Sequence, residues 1–198
     1  MIRVGITGGI GSGKSVVCKI FKQLNIPVYD ADFEAKQIII KSKSVISKIK
    51  KAFGDDSYFE DGRLNVQKIA SVIFSDKKAL EKMNSIVHPA VFQDFEKWSK
   101  LQKNCKYVIM ESALLIETAY YKQLDKTICV LSPLELRTER IMQRNNISKT
   151  EVNDRISSQL SDEEKLKFVD FTIQNDNENM LIPQVLKLHE NLGKEIRK

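Results

Sequence analysis

Nowhere does the chain string together the roughly 18 uncharged apolar residues that a membrane-crossing helix requires. Its start, "MIRVGITGG", also lacks the long apolar stretch of a secretory signal. The two absences predict a soluble, cytoplasmic protein with no membrane partner. Cysteine is scarce too: Cys18, Cys105 and Cys129 are odd in number, far apart, and without metal-ligand or redox spacing. That excludes a disulfide framework and fits reduced, mostly buried thiols. No internal repeat and no low-complexity linker divides the chain. Basic residues exceed acidic ones, 32 to 26, but the lysines are scattered instead of clustered with aromatics. Nucleic-acid binding is therefore disfavoured against a solvated basic surface or a site for an anionic small molecule.

What is present suffices for one full core. With 198 residues and 42% hydrophobic content the chain is too short for two ordinary domains, so a single domain spanning 1–198 is expected. Short segments rich in β-branched residues, "IRVGIT", "PVYD", "KYVIME", "KTICVLS" and "VDFTIQN", alternate with segments of helical periodicity. This pattern predicts an α/β fold with a five-stranded, mainly parallel sheet. Val16, Val17, Ile20, Phe21 and Leu24 share one face of the first helix, which Asn25 and Pro27 should end. Ser132, Pro133 and Glu135 predict a capped helix start, with Pro133 at the first helical position, and Ser148 with Glu151 and Ser161 with Glu164 repeat the capping signal.

Two connections exceed a plain crossover. Residues 33–104 contain the helical patterns "ALEKMNSIV" and "AVFQDFEKWSKL", with a break expected at His88-Pro89, and the turn-rich "FGDDSYFEDGRL". Residues 133–168 form the second. Both are expected as insertions into a core of about 1–32, 105–132 and 169–198.

Gly8-Gly9-Ile10-Gly11-Ser12-Gly13-Lys14-Ser15 satisfies GxxxxGK[ST] between a predicted strand and a predicted helix, the context this motif demands. Its backbone N–H groups can ring an anion, aided by the dipole of the following helix. Lys14 can reach the β- and γ-phosphates, and the Ser15 hydroxyl can join the shell of Mg²⁺, which prefers oxygen donors. A dinucleotide fingerprint GxGxxG is absent. ATP or GTP is the ligand class.

Further candidates fall at the carboxyl edge of the sheet, where open α/β folds bind ligands. Asp30 and Asp32 close the second strand in "VYDAD" and point the same way if the strand continues. Asp32 is the candidate base for an acceptor hydroxyl; Asp30 either shares the site or caps the next helix. Glu111 ends the third strand, where an acid approaches the magnesium shell through water or is simply solvated. Arg137, Arg140 and Arg144 recur at i, i+3 and i+7 on a predicted helix. Such a row is either a solvated basic face or a lid over the triphosphate, and its place past a strand end favours the lid. Arg155 and Gln159, assigned to the next helix, are weaker candidates. His88 is structural or part of an acceptor pocket.

Taken together, "GITGGIGSGKS", "DAD", "AFG", "DGRL", "IVHP", "ALLIE", Arg140 with Arg144, and "VDFTIQN" resemble the dephospho-CoA kinase family over nearly the whole chain. The resemblance implies a P-loop kinase core, an acceptor-binding helical insertion and a helical lid. It also implies phosphoryl transfer from ATP, with Mg²⁺, to the ribose 3′-hydroxyl of dephospho-CoA. By the same resemblance Gly9, Gly11, Ser12, Gly13, Lys14, Ser15, the Val16 backbone, Arg140, Arg144 and Asn175 belong to ATP binding, with Asn175 near the adenine. Lys14, Asp32 and Arg140 become catalytic, Asp32 and His88 face the acceptor, and Ser15 with Glu111 serves the metal. The sequence departs from the family pattern at Val16 (usually Thr), Glu111 and Ala113 (Asp and Pro), Val66 (Arg), Arg137 (Gln) and Asn177 (Gly). Another small-molecule kinase on this scaffold, or a P-loop regulatory ATPase, is the alternative; the latter lacks support, since neither a DxxG switch nor an NKxD motif occurs. Oligomeric state is not legible.

Overall fold

In the computed structural model, which describes residues 1–195, the elements follow one another as expected of an α/β chain. The last three residues of the segment assigned to the core, 196–198, lie outside the described residues. Strand β1 (Ile2–Thr7) leads through the glycine-rich loop into α1 (Lys14–Gln23) and then β2 (Val28–Asp30). Four helices follow: α2 (Ala31–Lys41), α3 (Lys43–Phe53), α4 (Val66–Ser75) and α5 (Lys77–Leu101). The chain returns as β3 (Tyr107–Glu111) and β4 (Lys126–Leu131), runs through α6 (Leu134–Asn145), α7 (Lys149–Ser157) and α8 (Asp162–Leu166), and closes with β5 (Phe171–Gln174) and α9 (Leu181–Glu195). Contacts divide it into two compact units, one of Met1–Asp30 with the chain from Leu101 onward, the other of Ala31–Lys100.

The first unit is built on a fully parallel five-stranded sheet in the order β2-β3-β1-β4-β5. Alternation along the strands sends Val4, Ile6, Tyr107, Ile109, Ile128, Val130 and Ile173 to one face, where they pack with Val17 and Phe21 of α1 and with Val185, Leu188 and Leu192 of α9. The Phe21 ring meets Tyr107 edge-on, centroids 6.3 Å apart. On the opposite face Gly5 makes room for Leu115 and Leu124. Helix α1 stops as predicted: Asn25 takes a left-handed φ of 59° while the Ile26 N–H bonds the Phe21 carbonyl and the Asn25 N–H bonds that of Lys22. This is a Schellman closure with Asn in the position usually given to Gly.

The second unit buries Val45 and Ile49 of α3, Ile69 of α4, and Met83, Ile86, Val87, Val91, Phe92 and Phe95 of α5. Helix α5 corrects the expected break at His88-Pro89, for it runs through Pro89 without interruption. Proline removes one N–H from the ladder, but the buried stripe continues on both sides of it, and that packing outweighs the local cost. Of the three predicted caps, two form and one shifts. The serine caps at Ser148 and Ser161 form complete capping boxes with Glu151 and Glu164, whereas Pro133 itself stands at the start of α6 and Ser132 makes no cap. Its hydroxyl accepts instead from Arg140 Nη1 at 3.1 Å.

Replacing Phe21, fully buried between sheet and helices, by Ala should cost about 3–5 kcal/mol of stability. Urea unfolding should show a lower midpoint with an unchanged slope; a midpoint within error of the parent would contradict this account of the core.

Candidate active site

Strand β1 ends between its neighbours, with Ile6 in register with Glu111 of β3 and Thr7 with Cys129 of β4. The next residue passes so close to β4 that a Cβ on Gly8 would strike the Val130 carbonyl, and its φ is 146°. Gly13 stands at φ 92° immediately before α1, with the Val16 and Val17 N–H groups on its carbonyl. A side chain at Gly13 would collide with the Asn175 amide. Between them the Ser12 N–H closes a turn onto the Gly9 carbonyl at 3.1 Å. The result is a backbone loop wrapped over the positive end of α1, an arrangement suited to phosphate. Lys14 bends back over it, its Nζ donating to the carbonyls of Gly8 at 2.9 Å and Gly9 at 3.3 Å. Ser15 and Val16 are exposed in the first turn of α1.

Side chains distant in sequence hold this loop from outside. Asn175, just past β5, donates its Nδ2–H to the Ser12 carbonyl at 2.7 Å while its own N–H bonds Leu131. Arg140 lies on the other side of Asn175, with both terminal nitrogens 3.4 Å from its carbonyl and Nη2 2.8 Å from Asn177 Oδ1. Arg137 donates Nε–H to the Ile10 carbonyl at 3.0 Å and pairs with Asp162 at 3.2 Å. The Ile10 N–H goes to Gln159 Oε1 at 2.9 Å. Gln159 lies beyond the end of α7 instead of on it as expected. The arginine row therefore divides: Arg137 is buried, Arg140 half-buried, and Arg144 exposed with its Nε–H on Asn145.

Glu111 ends β3, half-buried, and hydrogen-bonds the Cys18 thiol. Burial, and then the adjacent carboxylate, push that thiol far above its ordinary range, so Cys18 remains S–H. Cys18 follows Ser15 by one helical turn, which sets the strand-end acid beside the α1 face that Ser15 begins. Burial first, then Asp162, pushes the Cys129 thiol up to about 11. Sequence reasoning missed Cys18, Asp162 and the pair Lys165–Glu117, whose nitrogen and oxygen lie 3.2 Å apart. No local pattern marks them, because each acts through a residue remote in the chain.

Asp32 and His88 belong to the second unit. Strand β2 stops at Asp30, which is in register with Glu111, so Asp32 does not continue it as expected but sits in the first turn of α2. His88 is half-buried in α5, and burial holds its imidazole below the ordinary pKa. No helix among the described residues is long and apolar enough to cross a membrane.

With this geometry the chain can be set beside known proteins. The sequence model of the dephospho-CoA kinase family matches residues 2–180. The chain belongs to the dephospho-CoA kinase family. A dephospho-CoA kinase of Bacteroides fragilis is 41% identical over 188 residues, covering 94% of this chain and 91% of that protein. Among solved structures, a Thermus thermophilus protein superposes with a TM-score of 0.80 at 31% identity, covering 98% of this chain and 97% of the other. A dephospho-CoA kinase from Campylobacter jejuni gives 0.70 at 27% identity, with 98% of each chain covered. The α/β sheet and P-loop kinase architecture read from the sequence are those of this family, and the chain is an enzyme of the kinase class.

His88 generates a pH prediction for this family member. Its folded-state pKa lies below the ordinary 6.5, so under that pH the unfolded chain binds more protons and the stabilising contribution of neutral His88 is lost as pH falls. The urea midpoint should decline between about pH 7 and 5, and His88→Asn should flatten part of that decline. Parallel profiles for parent and variant would remove His88 as the titrating group.

Proposed function

We propose that this chain transfers the γ-phosphoryl group of ATP to the 3′-hydroxyl of dephospho-CoA, completing coenzyme A in the cytoplasm. The observation that carries this reading is a phosphate loop braced by Arg137 and Asn175 of the same unit, with Arg140 on the far side of Asn175. A kinase with its own arginines needs no second protein to stabilise the transferring charge, which separates this reading from a regulatory ATPase.

In this account Gly9, Gly11, Ser12, Gly13 and the Val16 backbone cradle the triphosphate. Lys14 and Arg140 stabilise the charge that builds on the transferring group. Asn175, already bonded to the loop, borders the adenine, and Arg144 reaches the phosphates from a lid formed within 133–168. Ser15 and Glu111 offer hydroxyl and carboxylate oxygens, the hard donors Mg²⁺ takes, with Glu111 acting through water. The ion would neutralise charge on the β- and γ-oxygens. Asp32 orients and deprotonates the acceptor hydroxyl, and His88 lines the acceptor side, which we assign to the helical segment 33–104. An open groove of about 420 Å³ lies next to Asp32, lined by Phe33, Glu34, Gln37, Ile38, Lys41, Ser42 and Asp94, where Gln37 and Ser42 offer hydrogen bonds and the single lysine is offset by two carboxylates.

A coupled assay with ATP, Mg²⁺ and dephospho-CoA, nucleoside monophosphates or shikimate tests the reading, and no turnover of dephospho-CoA would sink it. Asp32→Asn should lower kcat by roughly two to four orders of magnitude with ATP binding kept, the range for a general base. Lys14→Ala should weaken binding and turnover together; full activity in either variant would remove that residue from its role.

A further inference from the structure

Arg137 is 6% exposed, an unusual place for a guanidinium unless every face has an assignment. Its Nε–H bonds the Ile10 carbonyl at 3.0 Å, and its Nη1 faces both oxygens of Asp162, at 3.3 and 3.2 Å. Its Nη2 lies against Gly9 so closely that a Cβ there would fall on the guanidinium. In this chain, then, a side chain at Gly9 and the guanidinium of Arg137 compete for the same space. Because Gln159 accepts the Ile10 N–H, both backbone polar groups of Ile10 are gripped from outside the loop. Asp162 is itself anchored through α8, where the fully buried Lys165 stands 3.2 Å from Glu117, whose Oε1 also accepts the Leu160 N–H. A chain of paired charges therefore runs from the segment after β3, through α8 and α6, to the tip of the phosphate loop.

We propose that Arg137, held by Asp162, is a positioning residue that sets the Gly9–Ile10 turn in the shape that accepts the triphosphate. It governs donor binding and leaves acceptor binding alone. The planar fork matters: one rigid group bonds a carbonyl and a carboxylate at a set angle, which the single ammonium of lysine does not reproduce. The proposal rests on ATP as the donor.

The test is calorimetric titration of MgATP into the parent, Arg137→Ala, Arg137→Lys, Asp162→Asn and Gly9→Ala proteins and the Gly9→Ala/Arg137→Ala double variant, with KM for ATP and for dephospho-CoA measured separately. Arg137→Ala should weaken ATP binding about tenfold or more, in line with loss of a hydrogen bond to a charged group. Arg137→Lys should recover little of this, and KM for dephospho-CoA should stay within about twofold, below what loss of a direct hydrogen bond produces. Gly9→Ala should weaken ATP binding strongly beside Arg137 but add little to Arg137→Ala, since the space is then open. The proposal is overturned if Arg137→Ala binds ATP like the parent, if both KM values rise together, or if Gly9→Ala costs the same in either background. Should Arg137→Ala not fold, Asp162→Asn keeps the side-chain shape and should still weaken ATP binding several-fold; parental binding there overturns the proposal equally. A parent that binds no ATP would instead bring down the donor assignment and the proposal with it.

Discussion

The passage of Gly8 beside the Val130 carbonyl is the constraint on which the donor side depends. A side chain there would push the chain off β4, and the loop would no longer turn over the start of α1. Because β1 is the central strand, flanked by β3 and β4 in register, its end point is set by hydrogen bonds on both sides. The sheet thus delivers the loop to one place, and Asn175 and Arg137 hold it there, with Arg140 bonded to Asn175 from behind.

Buried charge gives the bracing its rigidity. Lys165 and Arg137 are both withdrawn from water, and each has a carboxylate beside it. Removal of one partner leaves an uncompensated charge in a poorly solvated place, so the pairs are costly to break even where their net contribution to stability is small. The same withdrawal keeps Cys18 of α1 and Cys129 of β4 as neutral thiols.

Much of this was legible from local pattern. The strand runs, the phosphate loop, the Asn25 stop and the capping boxes at Ser148 and Ser161 depend on neighbours within about five residues, and such relations survive in a linear reading. Where burial decided, the linear reading went astray. Pro89 looked like a helix break, yet a continuous apolar stripe from Met83 to Phe95 carries α5 through it. Asp32 read as the end of a strand, but β2 pairs only as far as Asp30 and the chain then turns into α2.

The amino-acid order by itself determined that a phosphate loop joins a strand to a helix and that the folded chain alternates β and α, since glycine spacing and side-chain periodicity are properties of short segments. Only the tertiary structure decided what the remote side chains do. Arg137, Arg140 and Arg144 are equivalent in spacing, and they part company because one points at Ile10 and Asp162, one at Asn175 and Ser132, and one at solvent. Which of three similar arginines touches the loop depends on strand order and helix packing, and neither is written in the interval between them.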